Sequence, residues 1–103
     1  MSDVFVSCTI YVVEHAPNSR HAVQNLTDFC RTFLPGRHRI EIVDVSLHPE
    51  RAIADKVLLT PTLIIDSSSP ARRIIGDLSD GGVLRQALGF DIQPPEALGG
   101  SDA

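Results

Sequence analysis

The chain has 103 residues, of which 43% are hydrophobic and 21% are charged, proportions typical of one small globular domain. Nine Lys and Arg residues against thirteen Asp and Glu residues give a formal net charge of −4 at pH 7. This balance argues against nonspecific binding to nucleic acids or to anionic membranes. No stretch reaches the roughly 18 apolar residues of a membrane helix, and the first residues lack the basic segment of a secretion signal. We therefore expect a cytoplasmic protein.

The first predicted element is a β-strand over residues 4–13, VFVSCTIYVV. Alternate residues form an apolar face and the others form a partly apolar face, as in a strand inside a mixed sheet. After a break, the pair Asn18-Ser19 signals the start of a long amphipathic helix. Apolar residues recur in this helix at spacings of three and four over residues 22–34, and Pro35-Gly36 ends it.

Shorter elements are predicted in the middle of the sequence. Residues 39–45 are rich in β-branched side chains and predict a second strand. Pro49 suits the first turn of a helix, and a short helical segment runs from there to about residue 55. Residues 57–65 predict a third strand, in which Pro61 must lie at the start or at a sheet edge because it has no N–H to donate.

A strand and a helix are the last predicted elements. Residues 72–75, RRII, follow a polar turn and predict a short fourth strand that ends at Gly76. Asp77 or Ser79 can then cap the start of a helix. We expect Gly89 to end this helix, because glycine readily adopts the left-handed conformation of a C-terminal cap.

The predicted order of elements, βαβαββα, indicates an α/β fold. A strand, a long helix and a second strand form a right-handed parallel crossover, and the last two strands are close enough in sequence to form a hairpin. The result is a mixed four-stranded sheet with flanking helices, which is the thioredoxin-like layout. We expect a single domain over residues 1–90 and a mobile tail over residues 91–103, where two prolines and two glycines occur.

The two cysteines, Cys8 and Cys30, do not form a C-x-x-C motif, and we expect both to be free, buried thiols. A redox enzyme of this layout needs a thiolate at the start of the first helix, where the helix dipole lowers the pKa of the thiol. Ala16-Pro17-Asn18-Ser19 stands at that position instead. The sequence therefore disfavours thiol-redox chemistry.

The histidines also lack the spacing of a metal site. No two of them are three or four residues apart, and no cluster of cysteines or carboxylates completes a set of ligands. The four are His15, His21, His38 and His48. We expect no catalytic residue, no metal ion and no cofactor.

Several segments of the sequence resemble one family. They are Ala16-Pro17-Asn18-Ser19, Val43-Asp44-Val45, His48-Pro49 where the family has Asn-Pro, Asp55-Lys56, Leu59-Thr60-Pro61-Thr62-Leu63 and the run RRIIGDLSD over residues 72–80. On these segments the chain resembles the KaiB family of circadian-clock proteins over roughly residues 4–90. The last run is long, contiguous and specific to that family.

The resemblance implies a non-catalytic regulator. Members of the family bind the ring-shaped ATPase KaiC in one phosphorylation state, sequester the activator KaiA and displace a thioredoxin-like sensor-kinase domain. The family is also metamorphic, with a tetramer of a KaiB-specific fold and a thioredoxin-like monomer that binds the ATPase. The second half of the chain rearranges between the two states.

The resemblance also implies which residues contact the partner. We expect Arg39, Glu41 and Lys56 to be contact charges. The family usually has alanine at Arg39 and lysine at Glu41, whereas Lys56 keeps the family's charge. Glu41 reverses a charge at this surface, and because like charges across an interface disfavour binding, we expect it to oppose docking on the usual ATPase surface. These differences are typical of a divergent paralogue within the family that the chain resembles.

The predicted switch region contains Pro61, Arg72, Arg73, Gly76, Asp77, Ala87 and Gly89. Where the family has Gly-Leu-Asp, this chain has Ala87-Leu88-Gly89. Alanine inside a helix is about 1 kcal/mol more favourable than glycine. Both changes favour the thioredoxin-like state, while Gly81-Gly82 opposes it. Two alternatives remain: a thioredoxin-like sensor or adaptor acting on a histidine kinase and, less favoured, a thiol-redox protein.

Overall fold

The computed structural model describes residues 5–88 of the chain. Over these residues the elements follow one another as β1 (Val6–Val12), α1 (Pro17–Phe33), β2 (His38–Asp44), α2 (Pro49–Ala54), β3 (Thr62–Ile65), β4 (Arg72–Ile75) and α3 (Gly81–Ala87). This is the predicted order βαβαββα. Among the helices described, none has the length and apolar character needed to span a bilayer.

The four strands form one mixed sheet in the order β2-β1-β3-β4. β1 and β2 are parallel and are joined by the crossover helix α1. β3 runs antiparallel to β1, and β4 runs antiparallel to β3. The predicted crossover and hairpin are thus confirmed, and β1 occupies a central position.

The sheet is covered on both faces. On one face, alternate side chains of β1 pack with buried residues of α1 and with Leu84 of α3. On the other face, Tyr11 forms a smaller cluster with Val43, Ile64 and Ala52 of α2. Because β1 is buried on both faces, nearly all of its positions need apolar or small side chains, which explains its composition.

The third strand is shorter than the sequence predicts. β3 begins at Thr62, one residue after Pro61, whose peptide bond with Thr60 is cis. The ladder with β1 starts at the pair Tyr11 and Thr62, so Pro61 stands just before the strand. The prediction of strand over residues 57–61 is therefore wrong, and Leu58 in that segment is 91% exposed.

The start of α1 lies next to the predicted signal Asn18-Ser19, whereas both candidates for the cap of α3, Asp77 and Ser79, are wrong. α1 begins at Pro17 after the N-cap Ala16, and the Ser19 hydroxyl accepts from the N–H of Val13 at 3.0 Å instead of capping. The N-cap of α3 is Asp80, whose carboxylate accepts from two backbone N–H groups of the first turn. Asp77 instead accepts the N–H of Ser79 at 3.0 Å, since the chain is still turning there.

α3 ends at Ala87, with Leu88 as its C-cap. The predicted helix terminator Gly89 and the predicted tail over residues 91–103 lie outside the described residues.

Candidate functional site

One end of the sheet gathers four loops, and we refer to it as the proline end. It contains residues 13–16, 45–48, 55–61 and 76–80, which follow or precede the strands at that end. The N–H of Gly76 donates to the carbonyl of Pro61 at 3.0 Å and thereby joins two of these loops. Four of the predicted site residues, Lys56, Pro61, Gly76 and Asp77, lie there.

Large apolar side chains are exposed at and beside the proline end. Leu58 is 91% exposed, Ile53 is 75% exposed, and Leu59 and Ile75 are each 60% exposed. Ile53, Leu58 and Leu59 also line a shallow cavity of about 350 Å³ beside α2. Clusters of exposed apolar side chains of this kind commonly mark protein-binding surfaces. We call Ile53, Leu58 and Leu59 the α2–β3 patch.

The sequence interpretation missed the α2–β3 patch because it placed Leu58 and Leu59 in a strand. The signal was nevertheless present in the sequence. Pro61 follows the apolar run and has no N–H to donate to a ladder, so a strand is not expected to continue through it. The apolar residues before Pro61 could therefore have been assigned to a loop.

Glu41, one of the predicted contact charges, forms a two-point ion pair with Arg51 of α2. The two guanidinium nitrogens of Arg51 donate to the two carboxylate oxygens of Glu41 at 2.6 and 2.9 Å. These bonds from Arg51 lower the pKa of Glu41 below its ordinary value, and the positive charge of Arg39 adds to the effect. Glu41 therefore does not present an isolated negative charge.

Arg39 and Lys56 are both exposed, but they lie on different elements. Arg39 is two positions before Glu41 on β2 and shares its sheet face. Lys56 follows α2 and has a positive φ of 57°, an uncommon conformation for a residue with a side chain. The structure thus places Arg39 beside Glu41 and Lys56 beside the α2–β3 patch.

Arg51 is a charged residue that the sequence interpretation missed. Its contact with Glu41 joins β2 to the helix that follows it. Nothing in the local sequence pattern indicates this contact, because it depends on how α2 lies across the sheet.

Arg72 and Arg73 each reach the end of a helix. Arg72 donates to the carbonyl of Gln86 at 2.9 Å and to that of Ala87 at 3.4 Å, at the end of α3. Arg73 donates to the carbonyl of Lys56 at 3.2 Å and also to that of Asp55, just after α2. Cations are favourable at helix C-termini because the carbonyls there lack partners within the helix.

The side chains of Arg72 and Arg73 lie on opposite faces of the sheet. In the ladder of β3 and β4, Arg72 stands opposite Ile65 and Arg73 stands opposite Ile64. Ile65 belongs to the core below α1 and α3, whereas Ile64 belongs to the cluster below α2. A short edge strand is therefore connected to the helices on both sides of the sheet.

The loop between β4 and α3 contains backbone conformations that most residues avoid. Gly76 has a φ of 126°, which side chains rarely allow. Leu78 has a φ of 62° although it is a bulky residue, and its side chain is only 7% exposed. The side-chain amide of Asn25 in α1 donates to the carbonyl of Asp77 at 2.8 Å. Packing and this hydrogen bond hold a strained segment in place.

Both cysteines are free and buried, as predicted. Burial raises the pKa of the Cys8 thiol to about 12 and that of the Cys30 thiol to about 11. Neither residue lies at the start of α1, where a reactive thiolate would be stabilised. Within residues 5–88, no three His, Cys, Asp or Glu side chains come together in a group that could hold a metal ion.

Comparison with known proteins identifies the family. The family model of the KaiB domain matches residues 9–90. The chain belongs to the KaiB family. It is 36% identical over 85 residues to circadian clock protein KaiB3 of Synechocystis, an alignment covering 82% of this chain and 81% of that protein. Circadian clock oscillator protein KaiB of Prochlorococcus marinus is 41% identical over 83 residues, which cover 81% of this chain and 68% of the relative.

Solved structures show the thioredoxin-like fold of this KaiB-family chain. Chloroplastic thioredoxin z matches with a TM-score of 0.69 at 17% identity, over 84% of this chain and 79% of that one. The N-terminal domain of Synechococcus elongatus SasA matches with a TM-score of 0.68 at 15% identity, over 89% of this chain and 88% of that one. At such low identities the likeness concerns the fold alone.

Proposed function

We propose that this KaiB-family chain is a non-catalytic clock or signalling regulator that binds a KaiC-type ring ATPase and changes its phosphorylation state or output. The observation that carries the proposal is the KaiB match over residues 9–90, together with relatives whose names describe circadian clock proteins. The high thiol pKa values argue for the same conclusion, because they disfavour the redox chemistry of the fold.

The docking surface that we propose is the α2–β3 patch with Lys56. Exposed leucine and isoleucine side chains give a partner apolar surface to bury, and the adjacent ammonium group of Lys56 can pair with an acidic group at the rim. The ATPase surface that fits it is apolar at its centre and acidic at its edge. Arg39 adds a positive charge on β2.

Glu41 does not prevent such docking in our proposal. Because Arg51 occupies both oxygens of its carboxylate, the pair presents little net charge to the partner. Binding that depended on a lysine at this position would lose that contact, whereas the rest of the proposed surface would stay unchanged.

We also propose that the second half of the chain, from Pro61 onwards, exchanges with a KaiB-type alternative fold. The strained backbone of Leu78 supports this, because a bulky residue in the left-handed region costs about 1–3 kcal/mol and another packing can release that strain. The members of the proposed switch are Pro61, Arg72, Arg73, Gly76, Asp77, Ala87 and Gly89. KaiA-like proteins and thioredoxin-like domains of histidine kinases are proposed further partners.

The test is co-elution on a sizing column with a KaiC-type ATPase from the same source, in phosphorylated-mimic and unphosphorylated-mimic forms. We expect binding to one form, and Lys56→Glu should weaken it at least about tenfold through charge reversal. Leu58→Ser should also weaken it without destabilising the fold, because Leu58 is 91% exposed.

Arg31→Glu is the matched control, since the Arg31 side chain is 72% exposed on α1, away from the proposed surface. It should bind as the unaltered chain does. If neither form of the ATPase binds, the proposed partner is wrong. If Arg31→Glu weakens binding as much as Lys56→Glu, the proposed surface is wrong.

A further inference from the structure

The outer edge of β4 has backbone groups that no neighbouring strand uses within residues 5–88. β4 is the end strand of the sheet, and β3 is the strand bonded to it. The N–H of Gly76, just after β4, donates at 3.0 Å to the carbonyl of Pro61, which stands opposite it in the same register. Because hydrogen-bonded and non-hydrogen-bonded pairs alternate in an antiparallel ladder, the even-numbered residues of β4 direct their backbone groups towards β3. The N–H and C=O groups of Arg73 and Ile75 therefore point away from the sheet.

The side chains along this edge change from charged to apolar within four residues. Arg72 and Arg73 begin the strand and are both exposed, whereas Ile74 and Ile75 end it. Ile75 is 60% exposed, so part of the apolar end is accessible. A further strand beside β4 meets two cations at one end and two isoleucines at the other, which gives the edge a direction.

The positive charges of Arg72 and Arg73 are not compensated by a carboxylate in the part of the chain that the structure describes. Both guanidinium groups donate to backbone carbonyls, at the ends of α3 and α2 respectively. The ion pairs formed within residues 5–88 involve other side chains. A carbonyl oxygen accepts a hydrogen bond but carries no net charge, so both cations still attract an anion.

A groove lies beside β4, on the face of the sheet that α3 covers. Its volume is about 540 Å³, and it is lined by Arg72, Arg73, Ile74, Val83, Gln86 and Ala87. Val83 is 41% exposed, so an apolar side chain that enters the groove can pack against it and against Ile74. The groove therefore has room for the side chains that a further strand directs towards α3.

We propose that the outer edge of β4 binds an extended, acidic segment of a partner protein as a fifth strand, antiparallel to β4. When a peptide joins a sheet edge, main-chain hydrogen bonds provide affinity and alternate side chains provide specificity. Antiparallel pairing is the more stable arrangement per residue. In that direction the segment places two apolar residues opposite Ile75 and Ile74 and then two carboxylates opposite Arg73 and Arg72. The recognised order, from its N-terminus, is apolar, apolar, acidic, acidic.

Calorimetric titration with the capped peptide acetyl-Thr-Ile-Val-Glu-Glu-Thr-amide tests the proposal without any ATPase, so its outcome is independent of the proposed function. The unaltered chain should bind this peptide saturably, and less tightly at high salt because the charges are exposed. The matched control is the reversed peptide, acetyl-Thr-Glu-Glu-Val-Ile-Thr-amide, which has the same composition and charge. It should bind about fivefold more weakly, because its side chains match β4 only in the parallel direction. Equal binding of the two peptides, or binding of neither, would overturn the proposal.

Methylation of the peptide backbone distinguishes strand addition from attraction between charges, and it leaves the protein unaltered. The N–H of the first glutamate stands opposite Arg73 and faces β4, so its methylation should weaken binding about tenfold. The N–H of the second glutamate points away from β4, and its methylation is the control. The bound peptide should also slow hydrogen exchange at Arg73 and Ile75, but not at Ile74, whose N–H already faces β3. If both methylated peptides bind equally well, the segment does not add as a strand.

Variants of the chain test the two cations. Arg72→Met and Arg73→Met should each weaken binding of the first peptide about threefold and together about tenfold, whereas Arg31→Met on α1 should bind it as the unaltered chain does. An equal loss in Arg31→Met would show that the charges of the edge are not selective.

Other occupants of the edge give different results. If the peptide binds only to the triple variant Asp91→Asn, Glu96→Gln and Asp102→Asn, residues 89–103 of this chain occupy the edge and a partner's segment does not. If the chain sediments as a dimer that the peptide dissociates, the occupant is a second copy. Either result would overturn the proposal.

Discussion

Tyr11 places a hydroxyl group between the sheet and α2. The residue is 0% exposed, and its hydroxyl donates to the carboxylate of Asp55. Burial raises the pKa of Tyr11 to about 12, and the bond to Asp55 and its negative charge add to the effect. The proton therefore stays on the phenol well above the pH at which a free tyrosine loses it.

We expect the free energy of unfolding to depend on whether the hydroxyl of Tyr11 is protonated. Because the pKa of Tyr11 is raised from 10.0 to about 12 in the folded state, its contribution is fully present below pH 10 and is lost as the pH rises through 12. Tyr11→Phe should lower the free energy of unfolding by about 1–2 kcal/mol at neutral pH and remove this part of the pH dependence.

Tyr11 is the single tyrosine and the chain has no tryptophan, so tyrosinate absorbance reports this residue alone. Urea unfolding at several pH values, for the unaltered chain and for Tyr11→Phe, gives the stability. A titration midpoint near pH 10 in the folded protein would contradict the prediction.

The sequence revealed some residue roles and not others, for identifiable reasons. That Cys8 and Cys30 are buried follows from their places in apolar patterns, which are local. The pairing of Glu41 with Arg51 depends on how a helix lies across a sheet, so no local pattern contains it. The N-cap Asp80 was missed because Asp77 and Ser79 are equally suitable by residue type, and only the loop path decides among them.

At the scale of elements, β4 is a short strand that is bonded to helices on both faces of the sheet. Its four residues include two arginines, and each of these caps a different helix from its own side of the sheet. β4 was predicted with its observed bounds because the short segment RRII, which ends in two β-branched residues, lies between Pro70 and Gly76. The caps could not be predicted, since they join residues far apart in sequence.

We expect Arg72→Met and Arg73→Met to loosen different helices. Each should lower the free energy of unfolding by about 0.5–1 kcal/mol, because partly exposed bonds to helix carbonyls are modest. Hydrogen exchange should increase at the end of α3 in Arg72→Met and at the end of α2 in Arg73→Met.

Arg31→Met serves as the control for both variants, since Arg31 contacts Asp28 of its own helix. It should leave exchange in α2 and α3 unchanged. If the two β4 variants loosen the same helix, the assignment of one cap to each sheet face is incorrect.

At the scale of the whole molecule, the proposed switch is an equilibrium between two folds of one chain. Ala87 lies in the last turn of α3, where alanine favours the helix over glycine by about 1 kcal/mol. Ala87→Gly should therefore shift the equilibrium about fivefold towards the alternative fold. The measurement is the set of backbone chemical shifts of residues 83–88, where strand-type values should increase.

Ala54→Gly makes the same substitution at the end of α2, before the switching half, and should destabilise the chain without strand-type shifts at residues 83–88. If Ala87→Gly lowers stability but gives only unfolded shifts there, the KaiB-type alternative does not form in this chain.

The central position of β1 has a consequence for any such exchange. β1 is bonded on one side to β2, from the first half of the chain, and on the other to β3, from the second half. When β3 leaves, the backbone N–H and C=O groups of Thr9 and Tyr11, which face it, lose their partners, and a strand suited to burial becomes an open sheet edge. Exposed sheet edges promote aggregation. A chain that exchanges folds must therefore pass through this intermediate quickly, or another molecule must already cover the exposed edge of β1.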